Sequence, residues 1–510
     1  IWGTVTATDT SITSHNFTEK ELSKISSLKS TDKEIHLSEV VPFQWDKVYV
    51  FDENIDVDKI YETIGYKWQS IVSKDKHSEQ QMVFMNDDKV VCYLYGDISD
   101  MDINVKKKYP KYLKEFKCIG GKCTDSCCIG WDIDIDKTTF RQYYKVKDVE
   151  MKKMFQKNLY NNEYCTSDNI DYGRVKLKGE KRCPFLDDEK YCIIYSRLGE
   201  EYLSNVCTCF PRILNKIDGF YEMSLDISCP EAARILLSKK EGIEFTKSNE
   251  TLGKHIISSE INTKSKEFDG SLIKYFTEIR DLSIKIIQNR NLSLDKRLYI
   301  LGEFLNEVED EFECNYSNLS NFINKYDINL VKNIYEKDEI RYTLQAAFFK
   351  TVFKLANVFE KTDSDVFKKY TKEVMEIFKL DEENIVSNSE LYIGAFETYN
   401  NKFMEEYSYI FENYLVNFIY NNIFPFSESQ SVFDGYILLL IRYAYIKFYL
   451  VGLYLNNEKE SEENIINFIQ IFSKSIEHHK TLLFDLLNYI KRNDYNNIEF
   501  AKMFLPEITF

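Results

Sequence analysis

The sequence predicts an α+β fold that is predominantly α, with a small N-terminal α+β unit, a loop-rich cysteine-cluster domain and a large all-α C-terminal domain. Three observations lead to this class. β-Branched and aromatic runs lie within residues 1–100, ten of the twelve cysteines lie within residues 101–238, and residues 239–510 are poor in Gly and Pro. A chain of 510 residues can bury a sizeable core in several domains. We therefore place domain boundaries after residues 100 and 238.

Residues 1–100 contain two stretches with the composition of β-strands and one short helix. Trp45–Phe51 and Lys89–Tyr95 are rich in the β-branched and aromatic residues that strands favour. Val57–Gly65 lies between them and reads as a helix that ends at Gly65. No residue in this unit has catalytic spacing, so its role is not predicted.

Apolar residues at helical spacing predict the all-α domain. Two sets are each expected to share one helix face: Leu272, Tyr275, Phe276, Ile279, Leu282 and Ile286, and Leu344, Phe348, Val352, Leu355 and Phe359. The most apolar run is Tyr436–Leu455, which Arg442 and Lys447 interrupt. Each charge near the bilayer centre costs roughly 2.5–3.5 kcal/mol. We therefore predict a buried, amphipathic core helix here and no membrane span.

Overall composition limits the classes of function. The net charge of −16 argues against a general nucleic-acid binder, which usually carries a basic face. The chain opens "IWGTVTATDT", without the basic start and apolar run of a signal peptide, so a cytoplasmic protein is expected. It also begins without Met, which leaves a removed leader open as an alternative.

The stretch "FKCIGGKCTDSCCIGW" places four cysteines within eleven residues, and others follow in "CPFLDDEKYC", "CTCFPR" and "DISCPEAAR". Disulfides are one interpretation, although disulfide-dense chains are usually short and adjacent cysteines pair poorly. Structural zinc is the second, but its sites usually show CxxC-like pairs or histidine. An iron–sulfur cluster is the third, and an all-thiolate supply without local histidine favours it.

Nine cysteines in these motifs are the candidate metal ligands. They are Cys118, Cys123, Cys127, Cys128, Cys183, Cys192, Cys207, Cys209 and Cys229. Adjacent Cys127 and Cys128 point in different directions, so we expect only one of them to join Cys118 and Cys123 on a given centre. Cys92 and Cys314 stand alone and are interpreted as small buried hydrophobic residues.

Several motifs together resemble the flagellin lysine N-methylase family, FliB. The motifs are Tyr109–Asp136, "CPFL" (Cys183–Leu186), "CTCFPR" (Cys207–Arg212), "SLDISCPEAARILL" (Ser224–Leu237) and "ENYLVNFIYNNIFPF" (Glu412–Phe426). The opening cysteines are also similar to the wider family of CxxxCC metal-chelating domains. The resemblance implies methyl transfer from S-adenosylmethionine to flagellin lysines and a metal centre, expected to be a [4Fe-4S] cluster. It assigns the family's cysteine positions to Cys118, Cys123, Cys127, Cys128, Cys183, Cys192, Cys207 and Cys229.

Two common signatures of methyltransferases that use this cofactor are missing from the sequence. There is no G-x-G-x-x-G after a strand, and the C-x3-C-x2-C spacing fails because Gly130 stands at its third position from Cys123. The resemblance therefore requires a nonstandard cofactor site. The alternative is a non-enzymatic module in which iron–sulfur or zinc staples the fold and the helical domain binds a protein partner.

Methyl transfer to lysine needs a neutral amine, so carboxylates near the substrate are of interest. If "WDIDID" is a strand, Asp132, Asp134 and Asp136 share one face and could steer a substrate ammonium. Arg212 could hold the carboxylate of the cofactor's methionine part. The competing interpretations are a solvated strand face for the aspartates and a structural salt bridge for Arg212.

Overall fold

The computed structural model is an α+β fold dominated by helices, as predicted, with 57% of it helical and 14% in strands. It describes residues 3–4, 44–51, 55–68, 71, 80–96, 104–328, 339–380, 386–457, 459–477 and 480–505.

The N-terminal unit is an antiparallel sheet with one helix. Its four strands have the order β1-β4-β3-β2. They are β1 Gly3–Thr4, β2 Lys47–Phe51, β3 Gln80–Asn86 and β4 Lys89–Gly96. Helix α1, Val57–Ile64, is capped by the Asp56 side chain and ends at Gly65, whose φ of 89° lies in the left-handed region that glycine tolerates. Both predicted strands and the predicted helix are confirmed.

A five-stranded mixed sheet organises the centre of the chain. Its order is β11-β5-β10-β9-β12. The strands are β5 Asn104–Pro110, β9 Arg212–Ile217, β10 Phe220–Leu225, β11 Phe245–Thr251 and β12 Ile257–Ile261. β5 runs parallel to β10 and antiparallel to β11, and β12 runs parallel to β9.

The cysteine region between β5 and β9 is composed of short elements around a small core of its own. They are β6 Asp134–Ile135, α2 Lys137–Lys145, α3 Val149–Asn158, β7 Leu159–Asn161, β8 Gly173–Val175, α4 Ile193–Leu198 and α5 Asn205–Cys209. β6, β8 and β7 form a small antiparallel sheet. Tyr143 and Phe155 stack at 4.0 Å inside the core, which also buries Phe185. Helix α6, Pro230–Leu237, follows β10 and belongs to the main core.

Helices form the remainder of the described chain. They are α7 Phe276–Ile287, α8 Leu294–Asn315, α9 Leu319–Lys325, α10 Glu339–Ala356, α11 Val358–Lys361, α12 Asp365–Ile377, α13 Val386–Tyr399, α14 Glu405–Asn421, α15 Val432–Asn457, α16 Glu462–Phe472, α17 Lys480–Arg492 and α18 Ile498–Lys502. Single π-helical turns, Asn400–Met404 and Ser473–Glu477, precede α14 and follow α16.

The first predicted apolar stripe is confirmed and the second is wrong at both ends. Ile279 and Ile286 belong to the main core, and Leu272, Tyr275 and Leu282 pack against it. Phe276 is fully buried, and Leu272 and Tyr275 lie on a 3-10 turn that precedes α7. In the second set Phe348 and Val352 are buried, but Leu344 and Phe359 are 53% and 47% exposed. α10 ends at Ala356, and Asn357 in the left-handed conformation redirects the chain before Phe359.

Helix α15 is a core helix, as predicted, but it is not amphipathic. It is long and apolar enough to cross a bilayer, and 94% of its most apolar window is buried within the fold. Every residue from Val432 to Gly452 is buried, because other elements surround the helix on all sides. Its two interrupting charges are partnered: Arg442 bonds Glu428 at 2.7 Å, and Lys447 lies 3.8 Å from Asp295.

The domain boundary predicted after residue 238 falls between strands of one sheet. β11 pairs along the whole of β5, so residues on both sides of 238 share backbone hydrogen bonds. They also share the main core, which contains Tyr112 and Leu225 together with α7, α14 and α15. The division of the chain into domains stays a prediction.

Three asparagines fix α14 to the end of β10 and to α6, and thereby set the helical region against the central sheet. Asn413, Asn417 and Asn421 recur every four residues and are buried. The Asn417 and Asn421 amides donate to the Leu225 carbonyl oxygen at 3.2 and 2.9 Å. Asn413 donates to the Leu237 carbonyl oxygen at 3.1 Å. Because buried amides need partners, these contacts specify how the helix lies on the sheet.

Candidate functional site

Eight cysteines are connected by pairwise electrostatic interactions between their thiols, and Cys127 takes part in the largest number of these interactions. The Cys127 side chain is hydrogen-bonded to Cys128, and Cys128 to Cys183. The charge of Cys127 acts on the thiols of Cys123, Cys192, Cys207 and Cys229, and that of Cys118 on Cys123. We call these the thiol group: Cys118, Cys123, Cys127, Cys128, Cys183, Cys192, Cys207 and Cys229. They are the eight positions that the family resemblance assigned.

Local backbone contacts bring the first thiols together. A 3-10 turn at Gly120–Lys122 separates Cys118 from Cys123, and the Cys123 amide donates to the Gly120 carbonyl oxygen at 2.9 Å. The Cys183 amide donates to the Cys128 carbonyl oxygen, also at 2.9 Å. Two segments that are distant in sequence are therefore joined directly at their cysteines.

The remaining thiols are placed at the starts of helices. Cys192 and Cys229 are the N-cap residues of α4 and α6, and Cys207 lies in the short α5. Backbone N–H groups at a helix start favour a thiolate, and those of Glu231 and Ala232 lower the pKa of Cys229. Burial acts more strongly and raises that pKa to about 12.

Cys207 is an exposed residue whose thiolate form is nevertheless disfavoured. Burial raises its pKa to about 12, and the charges of Cys192 and Cys127 act in the same direction. Cys127 is likewise accessible, and its pKa is raised first by the hydrogen bond to Cys128 and then by burial.

The thiol group is chemically suited to a metal centre, although its side chains are not oriented for coordination. All twelve cysteines are free of disulfides. Across the described part of the chain, no three Cys, His, Asp or Glu side chains already form an arrangement that could hold a metal ion. Sulfur donors without imidazole nevertheless match the donor set of an iron–sulfur cluster, and also that of a four-cysteine zinc site. The assignment of the thiols as metal ligands stays a prediction.

Four cysteines lie outside the thiol group. The Cys209 thiol points to the Lys254 carbonyl oxygen at 3.7 Å, and the Arg212 and Lys254 charges act on it. Cys165 contacts Asp171 at 3.5 Å. Cys92 is buried as predicted, and burial raises its pKa to about 12. Cys314 is exposed near the end of α8, so its predicted burial is wrong; it lies on the solvent side of that helix.

The three aspartates of "WDIDID" do not share one solvated face. Asp132 is exposed, and Asp134 bonds Arg174 at 2.9 Å. Asp136 is buried, because the strand ends at Ile135 and α2 begins. One of its oxygens caps α2 at Thr139, and the other accepts from the Asn205 amide at 2.9 Å. The expected alternation therefore fails at Asp136, while Ile133 and Ile135 are buried as predicted.

Arg212 is the exposed first residue of β9. Its guanidinium lies 5.2 Å from the centre of the Phe116 ring. Among the described residues no carboxylate forms an ion pair with it. The salt-bridge interpretation therefore finds no partner in that part of the chain, and a cofactor-binding role stays a prediction.

Sequence reasoning missed the contact between the thiol group and the helical region. Lys474, on the π-turn Ser473–Glu477, forms an ion pair with Asp125 at 2.5 Å. The other oxygen of Asp125 accepts from Gln470 at 3.2 Å. Asp125 lies inside the motif "CTDSCC", and its place among the cysteines was the one local signal that could have drawn attention to it. Its partners are more than 340 residues away in sequence, and no local pattern reveals them.

Fold and site together define a predominantly helical protein that holds a group of eight thiols against its helical region. Residues 280–504 match the family model described as the FliB lysine N-methylase C-terminal domain. The resemblance to the FliB family seen in the sequence is thus confirmed for this region, and the similarity of the opening cysteines to CxxxCC domains stays a prediction. No solved structure matches it significantly.

Three curated relatives are similar to parts of the chain. It is 29% identical over 160 residues to the flagellar biosynthetic protein FliU of Salmonella muenchen, which is 31% of this chain and 92% of the relative. It is 28% identical over 198 residues to the lysine-N-methylases of Salmonella typhimurium and Salmonella choleraesuis, which is 38% of this chain and 46% of each relative. The match thus spans about half the length of the two methylases.

Proposed function

We propose that this protein is an S-adenosylmethionine-dependent lysine N-methyltransferase that acts on flagellin in the cytoplasm, with an iron–sulfur cluster held by the thiol group. The observation that carries the proposal is the convergence of eight thiols beside a helical region of the FliB family. The names of the relatives support lysine methylation and a flagellar substrate.

The thiol group supplies twice the four thiolates that one cluster normally takes. Cys118, Cys123, Cys127 and Cys128 come from one loop, and the other four come from three distant segments. A bound cluster would supply a redox-active iron centre and a rigid crosslink between these segments. Zinc is the alternative occupant, since four thiolates also satisfy its tetrahedral preference.

The chain's own residues must deliver a neutral lysine amine. Methyl transfer forms a bond between the amine nitrogen and the methyl carbon, breaks the carbon–sulfur bond of the sulfonium, and leaves one proton for a base. Asp136 cannot serve as this base, because both of its carboxylate oxygens accept hydrogen bonds from backbone N–H groups. Asp134 is better suited: burial raises its pKa, which the Arg174 contact partly offsets. Asp132 is exposed and can attract the substrate ammonium.

Mass spectrometry of the cognate flagellin tests the proposal. Incubation with S-adenosylmethionine and protein loaded anaerobically with iron and sulfide should add whole methyl groups to lysines. Cys123→Ser should lose the cluster's visible absorption and the methylation together, because a hydroxyl is a poor ligand for iron. Cys314→Ser is the matched control and should change neither, since Cys314 is exposed and lies outside the thiol group.

Two results would contradict the proposal separately. If active protein contains stoichiometric zinc and no sulfide, the iron–sulfur cluster is excluded and the methyltransferase activity stands. If the loaded protein neither methylates flagellin nor binds S-adenosylmethionine, the proposed enzymatic function is excluded. A metal-stapled binding module would then account for the thiol group.

A further inference from the structure

A lysine from the helical region lies directly beside the thiol group. The Lys474 ammonium forms its ion pair with Asp125 and lies 5.1 Å from the centre of the Trp131 ring. Its charge also partly offsets the rise in the pKa of Cys127 that Cys128 and burial cause. The Lys474 side chain is only 14% exposed. The Lys474 ammonium thus contacts the Asp125 carboxylate and the Trp131 ring, and its charge acts on the Cys127 thiol.

The groups that hold this ammonium are themselves fixed. The Trp131 indole N–H donates to the Cys127 carbonyl oxygen at 2.6 Å, and its ring meets the edge of Phe210 at 5.2 Å. Gln470 holds the second Asp125 oxygen and also donates to the Ser228 carbonyl oxygen at 2.7 Å. The carboxylate and the ring would therefore keep their positions if the ammonium left.

The backbone on both sides of the Lys474 side chain is irregular. Gly130 has a φ of 97°, a left-handed conformation that favours glycine, and a Cβ built there would make ordinary van der Waals contact with the Lys474 Cε at 3.7 Å. Lys474 itself is carried on a π-helical turn, a local irregularity that often occurs at functional sites.

We propose that Asp125 and Trp131 form the binding site for the ammonium of a substrate lysine, and that Lys474 occupies this site internally until a lysine of the protein substrate replaces it. The inference rests on the proposed lysine methylation, because that reaction requires a lysine site beside the thiol group. A carboxylate paired with an aromatic face is how proteins commonly hold an alkylammonium ion.

Replacement of one lysine by another conserves the chemistry of the site. The incoming ammonium regains the same ion pair and the same ring contact, and the released Lys474 is solvated. The remaining cost is the outward movement of the π-turn. Lys474 therefore acts as an internal competitor that excludes other cations and yields to a lysine on a suitable polypeptide.

Binding of N-acetyl-lysine methylamide to the full reduced chain, measured by calorimetry, tests this inference without cofactor or cluster. Lys474→Met should bind this probe at least tenfold more tightly than the unsubstituted protein, because the competitor is gone. The norleucine analogue, which lacks the ammonium, should not bind either protein. In the Lys474→Met background, Trp131→Leu or Asp125→Asn should abolish the gain.

Lys137 offers a matched control with the same chemistry elsewhere. It forms an ion pair with Asp168 at 2.5 Å and lies 5.5 Å from the Tyr172 ring. Lys137→Met removes an equivalent set of contacts and should leave probe affinity unchanged. Equal affinities for unsubstituted protein, Lys474→Met and Lys137→Met would overturn the inference and leave Lys474 as a structural tie.

A second measurement does not depend on any substitution. Reductive methylation by formaldehyde and cyanoborohydride should modify Lys474 slowly in the free protein. The ratio of the Lys474 rate to the Lys137 rate, read by peptide mass spectrometry, should rise when the probe is saturating; the ratio corrects for the formaldehyde that the probe's own amine consumes. An unchanged ratio would overturn the inference. If flagellin is not methylated but the probe still displaces Lys474, the proposed function fails while the lysine site stands.

Discussion

At the scale of single residues, Cys207 combines solvent access with a strongly disfavoured charge. Burial raises its pKa from the ordinary 9.0 to about 12. Since each pKa unit is a factor of ten in ionisation, its thiolate fraction at neutral pH is about a thousandfold below that of an ordinary thiol. We predict that iodoacetamide alkylates Cys207 in the metal-free protein far more slowly than it alkylates the same cysteine in urea.

The pH dependence of that experiment has a definite sign. The folded pKa of Cys207 lies above the unfolded value, so its protonated form stabilises the metal-free fold below pH 9.0, and this contribution is lost as pH rises towards about 12. Alkylation of the folded protein should accelerate over the same window. A rate at pH 7 equal to that in urea would contradict the raised pKa of this thiol.

Gly121 permits a close approach beside the first cysteines. A Cβ on Gly121 would lie 2.6 Å from the Glu189 carbonyl oxygen and 2.8 Å from the Tyr191 ring. The backbone oxygen cannot swing away as a flexible side chain could, so the loop itself must shift. We predict that Gly121→Ala lowers the free energy of unfolding by about 1–3 kcal/mol, measured by urea denaturation, and weakens metal uptake.

Gly179 is the control for that substitution. A Cβ on Gly179 meets no atom within 4 Å, and its backbone does not have the positive φ that favours glycine. Gly179→Ala should therefore leave both stability and metal uptake unchanged. Equal effects of the two substitutions would show that the contact of Tyr191 with the Gly120–Gly121 segment does not constrain the cysteine loop.

At the scale of secondary structure elements, a buried ion pair joins β10 to α7. Arg280 is fully buried and bonds both oxygens of Glu222, at 2.5 and 2.8 Å. Arg280→Met would leave a buried carboxylate without its main partner, a defect that usually costs about 3–5 kcal/mol. Lys108 lies 3.8 Å from Glu222, so we expect the lower half of that range in chemical denaturation.

Arg234→Met is the matched control for the buried pair. Arg234 bonds Glu231 at 2.7 Å, but its side chain is 65% exposed, and exposed ion pairs contribute about 0–1 kcal/mol. A loss from Arg280→Met as small as that from Arg234→Met would mean that Lys108 fully compensates Glu222.

Local patterns predicted the elements better than they predicted the contacts between them. Helix α1 and strands β2 and β4 follow from composition and a C-terminal glycine, which are local signals. The amide contacts of α14 could not be foreseen, because polar residues such as Asn413 and Asn417 normally indicate a solvated face. Their partners are carbonyl oxygens almost two hundred residues earlier in the chain.

The candidate site shows the same division between local and distant information. Motif resemblance selected the eight thiols that the structure groups, and Cys209 was the one candidate that lies apart. Asp125 and Lys474 were missed, because an ion pair across 349 positions leaves no mark in either local sequence. The prediction for Asp136 was wrong because it extended the strand alternation by one residue, to a position that caps the following helix.

At the scale of the whole molecule, the described part of the first hundred residues has a core separate from the main core. Phe51, Ile60 and Val83 pack within that unit, whereas the main core begins at Tyr112 and continues to Leu505. We predict that a variant beginning at residue 101 keeps cooperative thermal unfolding and metal uptake, as measured by circular dichroism and metal analysis. Loss of either property would show that the N-terminal unit belongs to the same cooperative fold.

A variant beginning at residue 239 should not fold, although it contains the entire region that matches the FliB C-terminal domain. It would lack β5, β9 and β10, and β11 pairs with β5 while β12 pairs with β9, so both remaining strands lose their partners. The buried amides of α14 would also lose the Leu225 and Leu237 carbonyl oxygens. Unpaired buried amides and an uncovered apolar face favour aggregation.

Size-exclusion chromatography of this fragment should show soluble aggregates, and its thermal unfolding should show no cooperative transition. A monomeric 239–510 fragment that unfolds cooperatively would show instead that the helices alone specify their packing, and that the sheet is added to an already stable core.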